Sequence, residues 1–198
     1  MREMFRYTLA ASLALLLTGG LSAAAQEAHQ QAAKTVKLDA DRTFLMTAGQ
    51  GGHAEVALAN LAAKKAMSAE VKKLVQVLEK DHSASNQELK SLSSAKNVIV
   101  PMTLDAEHQQ LLDRLEKLEG ASFDKAYATA MVDGHKKMIA LYEGASVSKD
   151  AAIKAYAEKT LPTLRAHLQQ SQQAQAAVGG ATSTSGKTPG NAPDTTPR

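Results

Sequence analysis

An apolar repeat of three to four residues runs from about residue 38 to about residue 177, and only Pro101 and Pro162 fall within it. Such a chain buries one stripe of each helix and offers no alternating segment from which to build a sheet. Asn97-Val98-Ile99-Val100 is the single β-branched run, and it stops against Pro101. The period resolves into five predicted helices, about 39–66, 69–95, 104–119, 123–144 and 151–176. Ser68, Ser122 and either Ser148 or Asp150 precede three of them and are residue types that cap helix N-termini. The joints at 67–68 and 145–149 are short, so the helices on either side of each should form antiparallel hairpins. The link at 96–122 is long and holds a helix of its own, about 24 Å at 1.5 Å per residue. The expected fold class is therefore all-α, a four-helix bundle with an additional shorter crossover helix.

The flanks have a different character. Residues 1–25 read as a signal peptide: Arg2 and Arg6 ahead of the apolar stretch Leu9–Leu17, a break at Gly19-Gly20, then Ala23-Ala24-Ala25 before Gln26. Cleavage is expected after Ala25, with export to the periplasm. The apolar stretch is far short of the roughly 20 residues that span a bilayer. Residues 26–37, rich in Ala and Gln, form a loosely helical or flexible lead-in, and 38–177 form the bundle domain. The tail, 178–198, has no aliphatic or aromatic side chain beyond Val178 and a few alanines, so it should be disordered.

Composition excludes several chemistries. The 198 residues include no Cys, which removes disulfides, thiolate metal sites and a Cys nucleophile. A net charge of +3 with no concentrated basic face gives no footprint for nucleic acid. Gly-rich phosphate loops, a G-x-S-x-G elbow and H-E-x-x-H do not occur. The methionines are scattered and read as core and gap filling rather than as a copper-binding box.

What chemistry there is lies on the apolar faces. Glu79-x-x-His82 belongs to the second predicted helix, and Glu55, His135 and His167 to the first, fourth and fifth. Carboxylates and imidazoles turned into a bundle interior are costly unless paired, hydrogen-bonded or bound to metal. A Glu on one helix and Glu-x-x-His on another is a ligand set of carboxylate-bridged di-metal bundles. Measured from a turn at 67, Glu55 and His82 lie about 18 and 22 Å along their helices. Measured from a turn at 147, His135 lies about 18 Å along and His167 about 30 Å. Glu55, His82 and His135 should thus share a level that His167 misses by one to two turns. As metal ligands the candidates are Glu55, Glu79, His82, His135 and His167, and the ion they would suit is a divalent one, iron or zinc. Gly51-Gly52 inside the first helix points to close helix packing, and Asp81 to a solvated face.

Together, Asp41-x-x-Phe44, Glu55-x-x-Leu58, Asp81-His82, Phe123-Asp124-x-x-Tyr127, His135 and Leu161-Pro162-x-x-x-x-His167-Leu168 resemble the exported bacterial family of domain of unknown function 4142. The resemblance spans about residues 38–175. It implies a ferritin-like helical bundle outside the cytoplasm and no established activity. Ferritin-like di-iron enzymes would carry a second Glu-x-x-His on the last helix. Here Leu164 stands three before His167, and His135 stands where a bridging Glu is expected, which speaks against ferroxidase or oxygenase chemistry.

Two functions follow as expectations. The first is a non-catalytic envelope or stress-related protein whose buried His and Glu are internal polar pairs, with an envelope partner the sequence does not identify. The second is a mononuclear or dinuclear metal-binding periplasmic protein using the same cluster.

Overall fold

The computed structural model describes residues 23–180, and among them all regular structure is helical: α1 (Ala23–Lys65), α2 (Ala69–Ala95), α3 (Ala106–Glu116), α4 (Gly120–Ala145) and α5 (Ala151–Gly180). The signal-peptide reading of 1–25 and the tail reading of 178–198 fall almost wholly outside these residues. The chain divides into two compact units after Lys37. The described residues of the first, 23–37, are helical, and apart from the start of α1 everything below belongs to the second.

Helix α1 begins about four turns before the apolar period does. Its early residues are Ala, Gln and Lys, which favour a helix by propensity without marking a buried face. The cap at Ser68 forms as expected, its hydroxyl accepting from the amides of Glu70 and Val71. Asp150 likewise accepts from Ala152 and Ile153 at the start of α5, and Ser148 accepts from Asp150. Ser122 does not cap α4. That helix starts earlier, at Gly120, whose φ of +57° turns the chain out of α3. Helix α5 continues through Pro162.

Contacts across the unit give the helix directions. Gly52 packs on Asn86, and Gly51 on Met138, so α1 runs antiparallel to both α2 and α4. Ser85 bonds Tyr156 and Asp81 bonds His167, so α2 and α5 are antiparallel. Helices α4 and α5 pair as a hairpin, and α3 crosses between α2 and α4. The apolar core has two clusters along the bundle. Leu58, Leu74, Leu78, Phe123, Tyr127 and Met131 form one. Phe44, Leu89, Tyr142, Ile153, Tyr156 and Leu164 form the other. The polar residues Glu55, His82, His135 and His167 belong to neither cluster and are buried. Glycine makes the approach of α1 possible: a Cβ on Gly52 would lie 2.0 Å from the Asn86 side chain and one on Gly49 2.2 Å from Val100.

Candidate metal centre

His82, His135 and His167 come from α2, α4 and α5, each on the buried stripe of its helix. His82 follows Leu78 by one turn, His135 follows Met131, and His167 lies one turn beyond Leu164. Their exposures are 5%, 0% and 2%. One ring nitrogen from each lies within 4.8 Å of one from both others. His82 Nε2 and His135 Nε2 are 3.4 Å apart, and the three ring centroids are separated by 5.3–5.5 Å. Two ligands of one tetrahedral ion, each about 2.0–2.1 Å from it, would be about 3.3 Å apart. A cavity of about 20 Å³ borders His82 and His167, beside Met138 and Tyr142. That is room for one water-sized occupant.

The outward nitrogens are held. His135 Nδ1–H donates to the Met131 carbonyl at 2.8 Å, which leaves the lone pair on Nε2, facing His82. His167 Nε2–H donates to Asp81 Oδ2 at 2.9 Å, and its buried Nδ1 has no hydrogen-bond partner in the protein. A backbone carbonyl and a carboxylate on the far side of an imidazole are the partners that fix the tautomer of metal-binding histidines. Burial, reinforced by the neighbouring His135 and His167, drives His82 down to about 3. Burial likewise takes His135 down to about 4, against the pull of its bond to Met131. These rings are therefore neutral at pH 7, as coordination requires.

Glu55 is 6% exposed, and burial raises its carboxyl to about 8. Its Oε1 is 3.9 Å from His135 Nδ1. With both groups neutral at pH 7 and that N–H already committed to Met131, this is a packing contact rather than an ion pair. Glu55 thus meets the side of His135 that faces away from His82, which places it behind the imidazole. Glu79 is exposed. The three-residue spacing turns it about 60° around α2 from His82, enough to carry it out of the buried stripe centred on Leu78 and His82.

His167 meets the other two rings, contrary to the height expected from sequence. The pairs Tyr142–Tyr156 and His135–His167 mirror each other about position 150, not 147. Ser146 and Ser148 still bond back to Tyr142 and Ala145, so the chain reverses only after them. Moving the turn by three residues removes most of the displacement, because it counts once on each helix. Asp81, expected on a solvated face, is 38% exposed, and its role at His167 is what sequence reasoning missed. It bonds His167 on another helix, and spacing along α2 carries no signal of that.

Residues 23–174 match the family model described as a domain of unknown function, DUF4142. The chain belongs to this family. No curated protein matches this DUF4142 chain in sequence. Among solved structures it is similar in fold to a DUF305 fragment from Deinococcus radiodurans, with a TM-score of 0.61 at 11% identity over 71% of this chain and 95% of that one. It is also similar to CopM in its Cu(II)-bound form, with a TM-score of 0.60 at 18% identity over 69% and 96% of the two chains. The Cu(I)-bound form of CopM gives 0.57 at 18% identity, over 67% and 93%. These likenesses establish the helical-bundle fold. Among the described residues no helix is long and apolar enough to cross a membrane.

Proposed function

We propose that this DUF4142 protein binds a single transition-metal ion through His82, His135 and His167, and that copper is the ion. One observation carries the reading: three buried imidazoles from three helices converge within 4.8 Å. Two of them have their outer nitrogens tied to Met131 and Asp81. Pairing among the rings does not account for the whole cluster: His82 Nε2 and His135 Nε2 are at hydrogen-bond distance, 3.4 Å, yet the buried Nδ1 of His167 is left without a partner.

The donor chemistry favours copper over the iron or zinc expected from sequence. Imidazole suits copper and zinc, and copper(II) stands highest in affinity among first-row divalent ions. Iron sites of di-metal bundles draw on carboxylates, whereas Glu55 sits behind His135 and Glu79 is exposed. The bundle fold shared with CopM, which was solved with copper bound, agrees with this choice. An ion enclosed by rings of 5% exposure or less suits holding and handing on a metal rather than turning over a substrate. Export with cleavage after Ala25 belongs to the same reading, and N-terminal sequencing of protein from the cell envelope tests it.

The deciding experiment is metal analysis of protein purified without chelator or affinity tag, followed by titration with copper and zinc. About one copper per chain is expected, with a rise in Tm and loss of both in His82→Ala. Protein that stays metal-free, with Tm unmoved by either ion, would leave the three rings as a polar core and defeat the proposal.

A further inference from the structure

Three of the four long helices give the metal centre an imidazole, and α1 gives none. To the wall of the small cavity beside His82 and His167, α1 contributes only Ala48 and Gly52. Met138 borders the same cavity. It lies one turn beyond His135 on the buried stripe of α4 and packs in the core, as a gap filler would. Its sulfur rests against α1 where Gly51 leaves it room: a Cβ there would lie 3.0 Å from Met138 Sδ. Other polar groups around the cavity are engaged. Asp81 accepts from His167, Ser85 and Tyr142 each meet the Tyr156 hydroxyl, and Thr160 donates to the Tyr156 carbonyl. Asn86 turns its Oδ1 onto Gly52, and Thr163 is exposed. The thioether is thus the uncommitted donor on the wall, opposite a His167 Nδ1 that is itself buried and unpartnered.

We infer that the Met138 thioether is the fourth donor of this centre and makes it a site for copper(I) in particular, an inference that rests on the three-imidazole reading above. Thioether sulfur is a soft ligand that selects copper(I). Zinc takes thiolate, imidazole and carboxylate donors, so the same sulfur gives it nothing. Three imidazoles and a thioether are all neutral, and Asp81 and Glu55 each stand on the outer side of a ring. No ligand therefore cancels the charge of the ion, and the cost of burying a charge rises with its square. A singly charged ion is favoured for that reason too. Donors drawn from three helices around one point also fit a tetrahedral ion, whereas copper(II) prefers a tetragonal set.

Anaerobic titration of the full chain with copper(I) against a copper(I)-specific chelator, joined to X-ray absorption at the copper edge, tests the inference. Bound copper(I) should show one sulfur neighbour beside its nitrogens. Met138→Leu, a volume-conserving exchange, should remove that sulfur. It should weaken copper(I) binding roughly tenfold or more, since even partners outside the ligand shell are worth that much. Copper(II) and zinc affinities should change less, so the potential of the bound copper should fall. Copper(I) ringed by nitrogen alone in the wild type, or unchanged copper(I) affinity in folded Met138→Leu protein, would overturn the thioether assignment and leave the three imidazoles as a copper site. Protein that takes up copper in neither oxidation state would overturn the underlying reading as well.

Discussion

Asp81 and His167 are joined across α2 and α5 by a 2.9 Å bond from Nε2–H to Oδ2. The imidazole is 2% exposed and the carboxylate 38% exposed, so one end of the pair is in the core and the other in water. The bond fixes the tautomer of His167 and aims its Nδ1 away from solvent, the service such a partner gives a metal-binding imidazole. Asp81→Asn should therefore weaken copper binding roughly 10–100-fold. The metal-free fold should lose about 1 kcal/mol or less, because a half-solvated pair contributes little to stability. Competition titration against a chromogenic chelator measures the first effect and thermal melting the second. Unchanged affinity in a folded variant would show that His167 needs no partner to ligate.

The pH dependence of metal-free stability has two limbs. His82 and His135 are depressed from 6.5 to about 3 and about 4. Their contribution is complete above pH 6.5 and is lost as pH falls toward those values, because the unfolded chain takes up protons first. Glu55 is raised from 4.5 to about 8, so its contribution is complete below pH 4.5 and is lost as pH rises through about 8. Between 4.5 and 6.5 the two imidazoles outweigh the one carboxyl, and above 6.5 the carboxyl acts alone. Stability should therefore peak near pH 6.5, falling by about 1.4 kcal/mol per unit for each net proton on either side. Glu55→Gln should flatten the alkaline limb and steepen the acid one, where the two imidazoles then act unopposed. Urea denaturation from pH 4.5 to 8.5 would show this, and an alkaline limb that survives in Glu55→Gln would contradict it.

Much of the bundle is legible in the sequence because burial on a helix repeats with the helix. Leu74, Leu78, His82 and Leu89 fall on one stripe by spacing alone, and the structure buries all four. The close packing expected of Gly51-Gly52 is equally local, and Gly52 does lie against Asn86. Relations between helices are less legible. The meeting of His167 with His135 depends on where the chain reverses, and a joint of five residues leaves that uncertain by several ångströms. The reach of Asp81 to α5 depends on which helix is its neighbour, which no spacing within α2 encodes. Glu79 shows the converse: a spacing that fits a ligand motif lies on the wet side once the true stripe is known.

Gly49 and Gly144 separate the two roles of helix glycine. A Cβ on Gly49 would lie 2.2 Å from Val100 Cγ1, a stiff β-branched side chain on the segment that follows α2. Gly49→Ala should then cost about 1–3 kcal/mol through overpacking, despite the gain in helix propensity. A Cβ on Gly144 would meet nothing within 4 Å. Gly144→Ala in α4 should therefore stabilise by about 0.5–1 kcal/mol. Opposite shifts in Tm are expected, and a stabilised Gly49→Ala protein would mean that Val100 moves aside freely.

Asp124 ties the second half of the bundle to the first turn. Its carboxylate on α4 accepts from the amide of Ser68 at 2.7 Å and from that of Met67 at 3.1 and 3.2 Å, so it holds the reversal between α1 and α2. The residue is 3% exposed, and no other hydrogen bond to either amide is seen. Hydrogen bonds to a charged group contribute about 1.5–3 kcal/mol each, and a donor left buried and unpaired costs about 1–3 kcal/mol. Asp124→Ala should destabilise by about 3 kcal/mol, lowering Tm by roughly 6–12 °C for a domain of this size. Asp124→Asn, which keeps one acceptor oxygen, should lose about half as much. Because the turn is remote in sequence from His82, His135 and His167, folded Asp124→Asn protein should take up copper at wild-type stoichiometry. Equal melting of wild type and Asp124→Ala would show that the α1–α2 reversal holds itself, by Ser68 and the packing of Val71 alone.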